Sequence, residues 1–339
     1  MVSIKDIARR CGVSVATVSK ALNDCSDISI LTKKKVRAVA DELGYFPNAN
    51  AKALKTSKTS TIGIIYNDRL GKGLNHAYFS AVLESFRWSV EANGYDILFI
   101  GKGNPDKKML TYYEHCKHRN VDGVLIACTD FYDSEISRLF RSDLPVVAID
   151  FFSTRDYSVC SDNRQGMRDI IEYVYDMGHR KIAYIYGDTS LITTVRLDSF
   201  TQTMKQLGLP VEFDYVRQGR YSDIRRSEEI VSEMFDLYEP PTCIIMPDDV
   251  SAFGGYIAAS GRNLRIPDDI SFVGFDGIPF SQISVPKLTT VHQNTEKIGR
   301  TAAEILLDRI NGKELTDQRK HALIETELIK GQTVARLTT

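Results

Sequence analysis

No apolar run in this chain approaches 18 residues, so nothing in it reads as a membrane-spanning helix. The opening residues, MVSIKDIARR, lack the apolar stretch of a secretory signal, and a cytoplasmic protein is expected. Six cysteines (Cys11, Cys25, Cys116, Cys128, Cys160, Cys243) are scattered without a CxxC pair, the usage of a reducing compartment. The motifs GxxxxGK[ST], GxGxxG, HExxH and GxSxG are all missing, which removes the usual signatures of nucleotide, dinucleotide, zinc-peptidase and serine-hydrolase chemistry. His115 and His118 share one helical face, but no further ligand is spaced to help them. They read as a solvated face, and neither metal nor cofactor is expected. Asp268 and Asp269, after Pro267, read as a turn and not as an acid/base pair.

What is present is enough apolar residue for two or three cores: 339 residues, 43% hydrophobic and 26% charged. The net charge of −1 conceals a division. Residues 1–60 hold eleven Lys/Arg against five Asp/Glu, a net of +6, and the remainder carries −7. A basic head on an acidic body is the asymmetry expected when only the head meets a polyanion.

The head reads as three short helices. Ser3, with Asp6 after it, caps Ile4, Ile7, Ala8 and Cys11 at helical spacing, and Gly12 stops that helix. Ser14 caps a second helix through Leu22, and Thr32 a third that runs to Gly44 with Val36, Val39, Ala40 and Leu43 on one face. Two helices joined by a short glycine-containing turn make a helix-turn-helix. In GVSVATVSKALN (12–23), small and polar residues at the exposed start of the second helix suit approach to base edges, with a cation nearby for phosphate. Residues 47–60 form a linker in which 48–56 can make about two turns, too short for a stable helix without a partner.

From Thr61 onward, apolar strands alternate with amphipathic helices: strands at 62–66, 95–100, 123–127 and 145–149, then a second series at 181–186, 243–246 and 270–275. Strands that are apolar throughout imply parallel sheets covered on both faces. The expected architecture is an N-terminal all-α helix-turn-helix domain (1–46), a hinge helix and linker (47–60), and an α/β body (61–339) of two doubly wound parallel-sheet lobes. The first lobe takes about 61–160 plus 294–320, and the second about 163–290 plus 321–339. Ligands of such sheets sit beyond the carboxyl ends of the strands, and here two rims can face one cleft. Asp276 and Asp248 directly follow strands, and Arg196 begins a helix after the 181–186 strand and its loop. Two carboxylates and a guanidinium around a cleft can bind vicinal hydroxyls. An Asp after a strand equally suits capping the next helix, and for Asp248 both readings stand.

IKDIARRCGVSVATVSKALN and TKKKVRAVADELGYFPNANAKAL resemble the lactose/galactose repressor family of bacterial transcription regulators. So do MGHRKIAYIYG (177–187), RLDSF (196–200), PDDVSAFGGYIAASG (247–261), IPDDISFVGFDGIPFS (266–281) and PKLTTVHQ (286–293). The resemblance implies that Val15 and Ala16 read the operator's major groove. It places Ser14, Thr17, Ser19, Lys20, Asn23, Ser29 and Thr32 at the DNA, with Asn48 at the start of a hinge helix that forms only on DNA. Leu54 matches the leucine that wedges into the minor groove. In the cleft it implies that Asp150, Arg196, Tyr221, Asp248, Asp276 and Gln293 bind the effector, commonly a sugar, with Tyr78 or Phe79 facing the ring. Two departures stand out: the family usually has Asn where Asp248 stands and Gly where Ser199 stands. Asp248 is a pure acceptor, which favours a polyol, an amine-bearing sugar or a cation-containing ligand. The loop 66–75, with Asp68, Arg69 and Lys72, lies at the cleft mouth.

The expected function is thus a repressor whose affinity for double-stranded operator DNA is set by a small effector. With no leucine heptad at the carboxyl end, a homodimer is expected and no coiled-coil tetramer. The alternatives are a sugar receptor without regulation, which the basic head opposes, and an enzyme, for which no nucleophile–base pair stands out. Whether the effector induces or corepresses is open.

Overall fold

The computed structural model describes residues 2–46, 58–67, 73–102, 109–153 and 156–338, which fall in two compact units, Met1–Thr59 and Ser60–Thr339. The hinge helix expected over 48–56, with Asn48 and Leu54, lies outside the described residues. So do Asp68, Arg69 and Lys72.

The head is built from helices Ile4–Cys11, Val15–Leu22 and Ile30–Glu42. The Ser3 backbone N–H donates to the Asp6 carboxylate at 3.0 Å, and Gly12 takes φ +67°, where a β-carbon would be strained. Ser14 Oγ accepts from the Thr17 N–H at 3.0 Å. The third helix starts earlier than expected: its cap is Ser29, whose Oγ accepts from the Thr32 N–H at 3.2 Å, so Thr32 is the capped residue and not the cap. Ile30 and Leu31 disguise that start, because they are large apolar residues left exposed in a first turn. Ile7, Ala8, Cys11, Val18, Ala21, Val36 and Ala40 form the core, mostly small side chains that let three short helices cross closely.

In the body, strands β1 (Thr61–Tyr66), β2 (Asp96–Phe99), β3 (Gly123–Ala127), β4 (Val146–Ile149), β5 (Tyr157–Ser161) and, much later in the chain, β11 (His321–Ile324) make one six-stranded sheet of order β11-β5-β4-β3-β1-β2. Every pairing in it is parallel. The apolar runs alternate between faces: Ile62, Ile64 and Leu125 join one core, and Ile65, Val124 and Ile126 the other. The second sheet has the order β12-β10-β9-β8-β6-β7, from β6 (Ile182–Tyr186), β7 (Val216–Gln218), β8 (Cys243–Ile245), β9 (Ser271–Asp276), β10 (Thr289–Gln293) and β12 (Thr326–Ile329). Only its β10–β12 pair is antiparallel.

The chain crosses between the lobes after Ser161, after Gln293 and at Glu325. The last crossing corrects the expected boundary: residues 321–324 pair with β5 in the first lobe, and the return to the second lobe begins with β12 at Thr326. Four residues, half of them polar or exposed, carry too little periodicity to reveal their sheet without the partner strand. Two of the crossings are stitched together, since the Asp162 N–H donates to the Ile324 carbonyl at 2.8 Å.

Candidate functional site

On the head, the capped start of helix Val15–Leu22 presents Val15 and Ala16 to solvent while Val18 and Ala21 face the core. Val15 remains 42% exposed, although burying a valine would be favourable. Ser14 and Thr17 are bonded to each other through their hydroxyls at 2.8 Å, and Asn23 Nδ2 donates to the Ser19 carbonyl at 2.7 Å. Lys20 is ion-paired to Asp27. Ser29 and Thr32 share a hydroxyl contact at 2.9 Å one helix later.

In the body, a cavity of about 200 Å³ opens between the carboxyl ends of the two sheets. Of the expected ligand residues, Tyr78, Phe79, Asp150, Arg196, Tyr221, Asp276 and Gln293 line it, and Asp248 does not. Asp248 is the cap of helix Asp249–Gly261: Oδ1 accepts from the Ser251 N–H at 2.7 Å and Oδ2 from the Ser222 N–H at 2.6 Å. With both oxygens committed to backbone, the capping reading holds, and the departure at this position touches the cavity only through its charge, which helps to push the Asp276 carboxyl up. Ser199 is likewise internal, its Oγ donating to the Arg164 carbonyl at 2.7 Å.

Arg196 lies inside helix Leu191–Gln206, which starts five residues before the expected point because Ser190 Oγ accepts from the Thr193 N–H at 3.0 Å. The run LITTV looks unlike a helix start because its β-branched side chains are poor helix formers. The guanidinium is 4% exposed and lies 3.5 Å over the Phe275 ring. Its Nε donates to Asn163 Oδ1 at 2.7 Å and Nη1 to the Pro247 carbonyl at 3.1 Å. Asn163 in turn donates to the Ser161 carbonyl at 3.0 Å, so the buried cation is tied to a crossing between lobes.

Asp276 ends β9 with φ +119°, an unusual angle for a residue with a side chain, and accepts from Gln293 Nε2 at 2.7 Å. Burial pushes its carboxyl well above the ordinary range, Arg196 opposing and Asp248 and Asp249 adding to the shift. Asp150, at φ +57° just beyond β4, is pushed up to about 6 by burial, against the Tyr78 hydroxyl and Arg196. Gln293 Oε1 is buried with no hydrogen-bond partner in the protein, and the buried Asp150 carboxyl and Tyr78 hydroxyl face each other. Such groups cost free energy unless something else satisfies them. Tyr221 packs over Gly187, where a β-carbon would fall 2.3 Å from its ring, and its hydroxyl meets Thr193 Oγ1 at 2.8 Å.

The sequence reading missed His76, Phe131, Tyr132, Asp188 and Ser190 in the lining, and Asn163 behind it. Asp188 and Ser190 had a usable signal, because GDTS follows a strand and precedes a helix. Phe131 and Tyr132 had none, since only the facing lobe turns them into a wall. Asp188 accepts from the Tyr221 N–H at 3.1 Å and lies 3.5 Å from Arg220.

A helix-turn-helix unit and a two-lobed α/β body with an interlobe cavity define a protein that couples a nucleic-acid-binding module to a small-ligand module. The model of bacterial regulatory proteins of the lacI family matches residues 3–48, and a periplasmic binding protein-like domain matches 171–334. The chain is 32% identical to the probable HTH-type transcriptional repressor ExuR of Bacillus subtilis (strain 168), with 100% of both covered. The chain therefore belongs to the lacI family of bacterial regulatory proteins. Its fold is that of the lac repressor dimer solved with operator and the anti-inducer ONPF (TM-score 0.83, 24% identity, 98% of this chain and 99% of that one). It also matches the regulator CelR in complex with cellobiose (TM-score 0.70, 22% identity, 98% and 100% covered).

Proposed function

We propose that the protein is a transcriptional repressor, acting by binding and not by catalysis, whose hold on operator DNA is governed by a small polyhydroxylated effector, a sugar or sugar derivative, between the two lobes. The observation that carries this reading is the cavity's set of buried polar side chains (Asp150, Tyr78 and Gln293, whose Oε1 has no partner in the protein) in a chain that also has a helix-turn-helix. In this reading Val15 and Ala16 meet base edges in the major groove, and Lys20 and the hydroxyls of Ser14, Thr17, Ser19, Ser29 and Thr32 position the helix on the backbone. Asn23 contributes to the same face, and Asn48 and Leu54 belong to the hinge that contacts the minor groove. One head reads a half-site, so the working form is a homodimer on double-stranded operator DNA. Exposed Phe280, Ile283 and Val285 on the second lobe are consistent with a self-association face.

An effector that favours one arrangement of the lobes shifts operator affinity through the crossings, to which Arg196 is anchored by way of Asn163. A coupling of about 1–3 kcal/mol corresponds to roughly 5–150-fold in affinity. The test is selection of a preferred duplex by the full chain, followed by salt-dependent binding with and without ligands that raise its melting temperature. A dimer bound to a two-fold-symmetric site, with affinity changed by at least one stabilising ligand, is expected. Sequence-independent binding, or a ligand-insensitive operator complex, overturns the reading.

A further inference from the structure

Two acids, Asp24 and Asp27, lie in the loop between helices Val15–Leu22 and Ile30–Glu42. Asp24, at φ +58°, is committed within the head: Arg37 lies 2.6 Å from its carboxylate and Lys33 3.3 Å. Asp27 differs. Its one ion pair is with Lys20, a cation of the helix that meets base edges in the proposed function, and its side chain stays 52% exposed. Lys33, which also attracts Asp27, is already bonded to Asp24.

The loop that carries Asp27 is held in place. The Cys25 N–H donates to the Lys20 carbonyl at 3.0 Å, and Lys33 Nζ donates to the Asp24 carbonyl at 3.1 Å. A carboxylate so fixed beside Lys20 cannot face a phosphate without repulsion, and it lowers affinity for every sequence. Such a residue is tolerable where the DNA offers it a donor, and there it discriminates. In the major groove the donors are the amino groups of cytosine and adenine. Adenine sets its N7 acceptor beside the amino group, which suits an amide and repels a carboxylate. Cytosine presents the donor alone, and the guanine O6 across the pair suits the ammonium beside Asp27. Of the three Lys20 N–H groups, one holds Asp27 and the others remain for O6 and a phosphate.

We propose that Asp27 reads a base: its carboxylate, oriented by Lys20, accepts from the N4 amino group of a cytosine in each operator half-site. The inference rests on the proposed function, since it names a base that the head selects beyond those met by Val15 and Ala16. Discrimination then has two chemically distinct parts. The small apolar side chains at the start of the helix select by fit. Asp27 selects by refusing thymine and guanine, which offer it only acceptors where cytosine offers a donor.

The experiment is selection of preferred duplexes from a random library by the full chain and by its Asp27→Ala variant, followed by anisotropy titrations at a fixed salt concentration. Each affinity is taken relative to a scrambled duplex, so that the general gain from one acid fewer cancels. The parent should select a C·G pair at one half-site position where Asp27→Ala shows no preference, while circular dichroism shows the variant folded. The cytosine is then replaced by pyrimidin-2-one, which lacks only the N4 amino group. That replacement should cost the parent about tenfold more affinity than it costs Asp27→Ala. Weakening of the duplex itself affects both proteins alike, and a merely structural loop residue would not respond to the amino group. Identical selection by the two proteins, or equal losses on pyrimidin-2-one, overturns the inference while the repressor reading stands. The absence of any preferred duplex for the parent overturns both.

Discussion

In the head, Arg10, Lys20 and Arg37 pair with Glu42, Asp27 and Asp24 while every one of these side chains stays about half exposed. In the body, Arg196 is almost wholly buried and its neighbours Asp150 and Asp276 both have carboxyls pushed upward by burial. Exposed pairs are screened by water and salt and contribute little to stability, but their field reaches a polyanion at a distance. Buried charges are screened far less and are costly unless satisfied, which suits recognition of a small ligand that displaces water. The basic head and acidic body therefore differ in how their charges are screened and satisfied as well as in sign.

The largest expected effect tests the buried side of this contrast. Arg196→Ala removes the cation shared by Asp150 and Asp276 and leaves Asn163 Oδ1 and the Pro247 carbonyl without their donor. Loss of one partner from a buried charged network should cost roughly 3–5 kcal/mol in chemical denaturation of the body. If the loss is below about 1 kcal/mol, Arg196 behaves like the surface cations and the contrast is broken.

Asp150→Asn should act in the opposite direction. The Asp150 carboxyl, at about 6 in the folded protein against an ordinary 3.8, binds its proton more tightly folded than unfolded. Its contribution to stability is therefore complete below pH 3.8 and is lost as pH rises through about 6. At pH 7.5 this amounts to as much as about 3 kcal/mol against the native state. The Asn variant should be more stable than the parent at pH 7.5, with the difference vanishing toward pH 4, while ligand binding is lost. A constant difference across that range would show that the charge at Asp150 is not what burial penalises.

Ser14→Ala removes a helix cap in the head, where no buried charge is involved. A loss of about 1 kcal/mol confined to the Met1–Thr59 unit is expected, read by hydrogen exchange of residues 15–22 with the body's protection unchanged.

The smallest stability effect should come from Asp27→Asn, which frees Lys20 from an exposed pair. Stability should hardly change, because an exposed pair is screened by water. Binding to duplexes of any sequence should tighten, with a steeper salt dependence, because a head with one acidic charge fewer meets the phosphates. Anisotropy titrations at several salt concentrations check this, and unchanged affinity at low salt would show that Lys20 faces no phosphate.

The helix-turn-helix, the alternation of strands and helices and a few of the cavity residues were legible in the sequence, because each has a local cause. Gly12 and Ser14 punctuate the head, apolar runs such as GVLIA (123–127) demand burial on both faces, and Asp276 stands at a strand end, where parallel sheets present side chains to ligands. Other features had no local cause. Whether Asp248 faced the ligand or capped a helix depended on where the Ser222 N–H would lie, 26 positions away in the chain. The sheet that His321–Ile324 joins depended on an open edge at β5. The cavity between Asp150 and Asp276 exists only because two lobes, each folded on its own cores, bring their strand ends together. Sequence by itself determined the elements and the chemistry available to them, since propensity, capping and periodicity act over a few residues. Only the tertiary structure decided which polar groups were satisfied within the protein and which were left for a ligand, because that depends on partners distant in the chain.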